Sequence, residues 1–429
     1  MGKLALNGGK KVRTELFPAY RVIGKEEETA VINVLRSGIL SKYLGCWADD
    51  FYGGPQVRAL EQEWAEYYGV KHAVAVNSAT SALYCAAGAV GLAPLDEVIV
   101  SPYTMCASAT APLIYNAVPV FADIEYDYYC LDPDDVEKKI TDKTRAVIVV
   151  DLLGQPYNAE RIRDIAGKYG LYIIEDNAQA PFAAYKNKYA GTLGDIGIFS
   201  LNYHKHIHCG EGGILVTNDD ELAERLRLIR NHAEAVVENK GVTNLNNMIG
   251  FNMRMTEIEA AIAREQLKKL RALVEERRRN VAYLENALKN IPFLTMPKVR
   301  EGCSHSYYIH AIKYDETKTG VSREKFVQAV QAELMPIELR ETEGVKVGLG
   351  YMQPLYQQPL FRQKTAYGNT RYPFSESVNY LSGCCPVCEK VCSSETIFHE
   401  LMRPFMSTSD LDDVIEAFYK VSDHLDELI

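Results

Sequence analysis

The chain of 429 residues is 47% hydrophobic and 24% charged, a globular composition long enough for a main domain and a smaller one. A formal net charge of -10 without a long Lys/Arg block argues against nucleic acid or an anionic membrane as partner. No stretch has the apolar length to span a bilayer, and Met1-Gly2-Lys3-Leu4-Ala5-Leu6 fits neither a signal peptide nor a myristoylation site, so a cytoplasmic protein is expected.

Residues 1–55 read as an arm and substrate loop, punctuated by Gly8-Gly9, Pro18, Gly38, Gly45 and Gly53-Gly54, with one helical pattern at 26–36. A main domain is expected over 56–265. It opens with helical periodicity at 57–68, and strand-like runs follow at 73–76, 97–100, 118–122, 146–150, 171–174, 196–200 and 213–217. Helical segments at 79–90, 106–115 and 159–169 lie between them. Buried strands alternating with amphipathic helices predict an α/β fold with a mostly parallel, doubly wound sheet of seven strands. A polar loop at 234–252 precedes a long helix from Thr256 towards Leu288. Residues 266–429 then read as this connecting helix and a small C-terminal α+β domain. Its expected parts are a strand at 305–312, a helix at 323–333, an irregular stretch at 335–385 and a helix at 411–428.

Ten cysteines are present, four of them clustered at Cys384, Cys385, Cys388 and Cys392. Cys385-Pro386-Val387-Cys388 has zinc-ligand spacing with His399 nearby, but no second Cys-x-x-Cys pair follows. Free thiols packed as small hydrophobes, and no metal, are expected.

Polar residues at strand ends are where open α/β sheets hold ligands. In the run Ile196-Gly197-Ile198-Phe199-Ser200-Leu201-Asn202-Tyr203-His204-Lys205-His206, an apolar strand delivers Lys205 into a histidine-flanked turn. Gly210-Glu211-Gly212-Gly213 and a second apolar run follow. A lysine there is either solvated or used chemically, for example as a Schiff base to an aldehyde. Asn77-Ser78-Ala79-Thr80-Ser81 opens a helix whose backbone N–H groups suit a phosphate, although Ser/Thr caps are common. Asp176, in Glu175-Asp176-Asn177-Ala178-Gln179-Ala180, ends a buried strand; it serves equally as a helix cap or as the partner of a buried cation. Ser101-Pro102-Tyr103-Thr104-Met105-Cys106 is a further strand-to-helix turn, and Asn252 and Arg254 precede the long helix.

In family order these segments resemble the DegT/DnrJ/StrS sugar aminotransferases, fold-type I pyridoxal-phosphate enzymes that make amino sugars and aminocyclitols. The match is close over 4–263 and looser to the end, with an N-terminal run most similar to the aminocyclitol branch. The resemblance implies that 56–265 binds pyridoxal 5'-phosphate. Lys205 would form the internal aldimine and Asp176 would pair with the pyridine nitrogen. Gln179 would bond the ring 3-hydroxyl, and Ala79, Thr80 and Ser200 would hold the phosphate, with Ser78 also among the cofactor-binding residues. Met105 stands where the family places an aromatic that stacks on the ring. Asn252 would reach the phosphate of a neighbouring subunit, so a homodimer with shared sites is implied.

The activity so implied is transfer of an amino group from L-glutamate or L-glutamine to a keto sugar, nucleotide-linked or free, or a keto-cyclitol. Relatives that dehydrate sugars carry histidine at the lysine position, and non-catalytic regulatory relatives are the other alternative. Tyr43, Tyr103 and Arg254 are the candidate substrate contacts, and Lys42, Arg58, Arg254 and Arg340 could meet a diphosphate. An ordinary lysine, with a pKa of about 10.4, is a poor base near neutrality, whereas one released from an imine is not.

Overall fold

The computed structural model describes residues 3–374 and 378–429. Seven strands form the main sheet: β1 (His72–Val76), β2 (Glu97–Val100), β3 (Val118–Phe121), β4 (Thr144–Val150), β5 (Tyr172–Asp176), β6 (Ile196–Ser200) and β7 (Gly213–Thr217). Their order is β1-β7-β6-β5-β4-β2-β3, with β7 antiparallel to both neighbours and the other pairs parallel. The seven expected strands are all present, and the sheet is doubly wound.

The near-continuous apolar strands follow from burial on both faces. Side chains alternate across the sheet, so Val74, Val76, Ile198 and Leu215 enter one core while Ala73, Ala75, Phe199, Ile214 and Val216 enter another. Helices α1 (Lys25–Ser37), α2 (Pro55–Tyr68), α3 (Ala79–Ala89), α4 (Ala159–Tyr169) and α5 (Asp220–Arg230) surround this sheet. Helix α6 (Glu257–Leu288) then runs 32 residues into the small domain. Thr256 caps it, accepting the Glu259 N–H while the Glu259 carboxylate accepts the Thr256 N–H. The small domain holds an antiparallel sheet of β8 (Leu294–Thr295), β9 (His310–Tyr314), β10 (Val347–Gly348) and β11 (Thr396–His399), in the order β8-β9-β11-β10. Helices α7 (Arg323–Glu333) and α8 (Thr408–Asp423) cover its core. Leu4 and Phe17 of the N-terminal stretch pack into that same core.

Four expectations shift. The helix expected at 106–115 is a short turn, Ala107–Thr110, followed by a 3-10 turn at Pro112–Tyr115, because Pro112 has no N–H to continue the ladder. The strand expected at 305–312 is broken. Cys303–Ser304 pairs with Ala184–Tyr185, and β9 begins only at His310. Between them Tyr307 has φ 50°, and Arg277 and Arg278 hold the carbonyls of Tyr307, Tyr308 and His305. The last helix starts earlier, at a Ser407–Asp410 capping box, and gives way to a 3-10 turn at Leu425–Leu428. Helix α5 lies outside the expected helices; Asp219 caps it, its Oδ1 accepting the Leu222 N–H at 2.9 Å.

All ten cysteines are thiols. Cys384 and Cys385 place their sulfurs 3.5 Å apart, and Cys388 and Cys392 theirs 4.0 Å apart. Among the described residues no group of three or more His, Cys, Asp or Glu side chains is arranged to hold a metal ion. No helix among them is long and apolar enough to cross a membrane.

Candidate active site

The carboxyl ends of β1, β4, β5 and β6 open onto a cavity of about 360 Å³. It is lined by Ser78, Ala79 and Thr80, by Met105, by Asp176 and Gln179, and by Ser200 and Lys205. Eight of the residues singled out in the sequence therefore share one space, although they span more than a hundred positions.

Ser78 is extended and caps α3, its Oγ accepting the Ser81 N–H at 3.0 Å; Ser81 Oγ in turn donates to Asn77 Oδ1 at 2.7 Å. This fixes the first turn, whose leading N–H groups have no intrahelical partner and favour an anion. Gly213 of β7 passes directly beneath: a Cβ there would lie 2.5 Å from the Ser78 carbonyl and 2.7 Å from the Ala79 nitrogen. The glycine after Gly210-Glu211-Gly212 is thus what lets α3 sit on the sheet.

Asp176 is 6% exposed and in no ion pair among the described residues. Burial raises its pKa, against the Ser108 hydroxyl at 2.9 Å, the Ala178 N–H at 3.1 Å and the charge of Lys205. It caps a turn rather than a helix. A buried acid with two neutral donors and open cavity beside it is suited to a cationic ligand atom. Gln179 is held at both ends of its amide, Oε1 accepting the Leu153 N–H at 2.8 Å and Nε2 donating to Tyr351 Oη at 3.3 Å.

The Lys205 turn is built by its own polar residues. Ser200 Oγ accepts the Asn202 N–H, Asn202 Oδ1 accepts the His204 N–H, and the Asn202 carbonyl accepts the Lys205 N–H. Lys205 Nζ lies 4.3 Å from the centre of the Tyr308 ring. Of the flanking histidines, His206 is buried, and its Nε2 donates to the Ser306 carbonyl at 2.9 Å. His204 lines the cavity; burial, then Arg340 and Arg403, push its pKa down to about 4. It is neutral at physiological pH. Met105 is 53% exposed and its sulfur accepts the Ala107 N–H at 3.0 Å.

Four expected residues lie off this cavity. Tyr103 is 1% exposed and packs edge-on against Tyr351, so it supports Gln179 from behind. Tyr43, Asn252 and Arg254 gather elsewhere: Arg254 Nε donates to Asn231 Oδ1 at 2.9 Å, its guanidinium lies 5.9 Å from the Tyr43 ring centre, and Asn252 bridges to Asn231. Sequence reasoning missed Ser108, Asn202, Glu211 and Tyr308, which line the cavity. Ser108 lies three residues after Met105 in a helical turn, a spacing that could have found it. Tyr308 had no such signal, because the break in its strand is invisible in the pattern.

These residues fit pyridoxal 5'-phosphate: an anion cradle at α3, an acid for a ring nitrogen, an amide for a ring hydroxyl and an amine for an aldehyde. The model of the DegT/DnrJ/EryC1/StrS aminotransferase family matches residues 23–417. Spore coat polysaccharide biosynthesis protein SpsC of Bacillus subtilis (strain 168) is 33% identical over 402 residues, covering 92% of this chain and 94% of that protein. The L-glutamine:2-deoxy-scyllo-inosose aminotransferase of Streptomyces kanamyceticus is 30% identical over 436 residues, covering 98% and 97%. The crystal structure of DesI in the presence of its TDP-sugar product has a TM-score of 0.81 at 26% identity, covering 99% of this chain and 97% of that one. With its lysine, acid and phosphate cradle in one cavity, this chain belongs to the DegT/DnrJ/EryC1/StrS aminotransferase family and is a pyridoxal-phosphate-dependent aminotransferase.

Proposed function

We propose that the enzyme moves the amino group of L-glutamate or L-glutamine to a keto sugar or keto-cyclitol. The observation that carries this reading is the convergence of Lys205, Asp176, Gln179, Ser200 and the α3 N-terminus on one cavity. Pyridoxal phosphate, when bound, supplies the electron sink for the carbanion. The α3 N-terminus, Ser78, Thr80 and Ser200 would hold its phosphate, Met105 would pack on its ring, and Asp176 would favour a proton on the ring nitrogen. Lys205 Nζ, at the cavity wall, would be the base that moves a proton at the donor Cα.

The donor reading is supported by the cations behind the cavity wall. Arg277 donates to the Tyr308 carbonyl at 3.3 Å, Arg340 lies 3.4 Å from His204 Nδ1, and Arg403 is buried beside them. Burial, Arg340 and Arg277 together lower the pKa of Arg403 to about 9. Arg340, Arg403 and Lys346 share the carboxylates of Glu343 and Glu400, while Arg277 bonds the Tyr307 and Tyr308 carbonyls. The excess positive charge favours an anionic ligand, and an amino-acid carboxylate provides one. Arg340→Gln should therefore raise the donor KM about ten- to hundredfold, one charged hydrogen bond, with the acceptor KM unchanged. Steady-state kinetics with each substrate varied separately checks this; a matched rise in both values would contradict it.

The acceptor reading draws on the relatives, one named for an inosose and one crystallised with a TDP-sugar. Here Lys42 pairs with Asp50 at 3.2 Å and Arg58 with Asp49 at 3.0 Å. Cations already paired within the chain favour an uncharged acceptor over a diphosphate. Assay of keto-cyclitols, free keto sugars and nucleotide keto sugars with both donors tests the reading, and amination of the nucleotide sugars alone would reverse it.

The same reading makes the enzyme a cytoplasmic homodimer with shared sites. Asn252 and Arg254 lie off their own chain's cavity, near exposed Leu245 and Ile249, at 59% and 74% exposure. Mixing inactive Lys205→Ala and Asn252→Ala protomers should restore about a quarter of the wild-type rate, because half of the reassorted isologous dimers carry one intact site. No recovery after proven subunit exchange would remove the shared-site assignment.

A further inference from the structure

Behind Asp176 lie two acids that this chemistry does not use. Asp151 directly follows β4 and Glu175 is the next-to-last residue of β5; both are fully buried. Neither is in an ion pair among the described residues, and the guanidiniums of the region, Arg163 and Arg300, bind Asp195 and Glu125. Two ionised carboxylates without a cation cannot share such a site, so one of them holds a proton.

Their partners show which. Glu175 accepts three backbone N–H groups, from Gly191 at 2.7 Å, Leu193 at 2.7 Å and Gly194 at 2.8 Å. Such an amide nest stabilises the ionised form. Asp151 has one donor, the Tyr157 N–H on Oδ1 at 3.1 Å, and its Oδ2 meets none. Glu175 is paired with Val149 across β4 and β5, so Asp151, two residues on, presents its carboxyl to the same side of the sheet, and two buried acceptors so placed can bond only across a proton.

We infer that Asp151 is a neutral carboxylic acid that donates to Glu175, and that it is a positioning residue leaving Asp176 as the ionised side chain beside the cofactor. The link to Asp176 is direct, since the Asp151 N–H donates to the Asp176 carbonyl at 3.1 Å. A negative charge on Asp151 would raise the proton affinity of Asp176 and weaken its hold on a ring nitrogen. The other titratable groups facing the pair are Tyr157, Cys130 and Cys303, all kept neutral by burial. Burial, then the charge of Glu175, push the Asp151 carboxyl well above the usual range, in agreement with the geometry.

The role beside the cofactor rests on the proposed function; the proton on Asp151 does not. An acid held protonated in the fold but ionised in the unfolded chain above a pKa of about 3.9 costs stability as pH rises from there towards its folded value. Asp151→Asn removes that cost, keeping an N–H for Glu175 and a carbonyl for the Tyr157 N–H. The variant should be more stable than wild type at neutral pH, by a margin that widens from about pH 4 upwards. Wild type should show an infrared carbonyl band of a protonated acid at neutral pH that Asp151→Asn lacks. Asp151→Leu, which cannot donate, should be less stable at every pH. On alkaline titration wild type should lose affinity for pyridoxal phosphate before Asp151→Asn does. The melting curves are run without cofactor, so a protein that binds no pyridoxal phosphate sinks the functional reading and leaves this comparison intact. An Asp151→Asn that is less stable at neutral pH or fails to fold, or a wild type without the band, overturns the assignment of the proton. Parallel loss of cofactor in the two proteins overturns the positioning role.

Discussion

Lys205→Ala will reduce transamination by about 10³-fold or more while leaving the fold intact. The side chain is half-buried with its Nζ over the Tyr308 ring, and it forms no ion pair among the described residues. It carries the amine on the cavity wall, and no neighbour can replace it as a base at the donor Cα. His204 also lines the cavity and is neutral, but it is turned towards Arg340. The contacts that would anchor the cofactor, at Ser78, Thr80, Asp176 and Ser200, are untouched by the substitution. The variant should therefore bind pyridoxal phosphate yet convert little of it to the amine form with glutamate, as read by absorbance in single turnovers. A rate within tenfold of wild type would remove Lys205 from the chemistry.

Asp176→Asn should cost nearly as much by a different route. Its carboxylate is buried, and its donors, the Ser108 hydroxyl and the Ala178 N–H, are neutral. A ring nitrogen carrying a proton would supply the positive charge that this acid lacks. A unit charge at about 4 Å is worth about 4 kcal/mol at an effective dielectric of 20, or about 10³-fold in rate. Asparagine keeps the shape and an acceptor for the Ala178 N–H, its amide donating to the Ser108 hydroxyl instead of accepting from it, but not the charge. Weaker binding of pyridoxal phosphate together with a similar loss of kcat is the expected result. A variant with wild-type kcat would mean that the ring nitrogen is not held by residue 176.

The main sheet was legible because each strand is apolar on both faces, a pattern that survives without knowledge of its neighbours. Lys205, Asp176, Gln179, Ser200 and Thr80 were legible for a related reason, since each lies at or just after a strand end and a parallel sheet brings strand ends together. Tyr308 and the arginines behind it were not. They come from the small domain, where short strands and the kink at Tyr307 leave no period to follow. Strand β11 was hidden among Cys, Ser and Glu residues, although it lies at the centre of its sheet. Asp151 was invisible as an acid of interest, because its meaning depends on the amide nest around Glu175.

Helix α6 contains neither glycine nor proline. Its first half places Ala260, Ala263, Leu267, Leu270 and Val274 in one core, and its second half places Val281, Leu284 and Leu288 in another. One rod, about 48 Å long, is thus part of both interiors. A fragment cut at residue 266 would carry Leu267, Leu270 and Val274 into water, at about 1.5–3 kcal/mol each, which together approaches the whole stability of an ordinary domain. The enzyme is in this sense indivisible at α6: a cut within this helix takes core residues from both interiors at once.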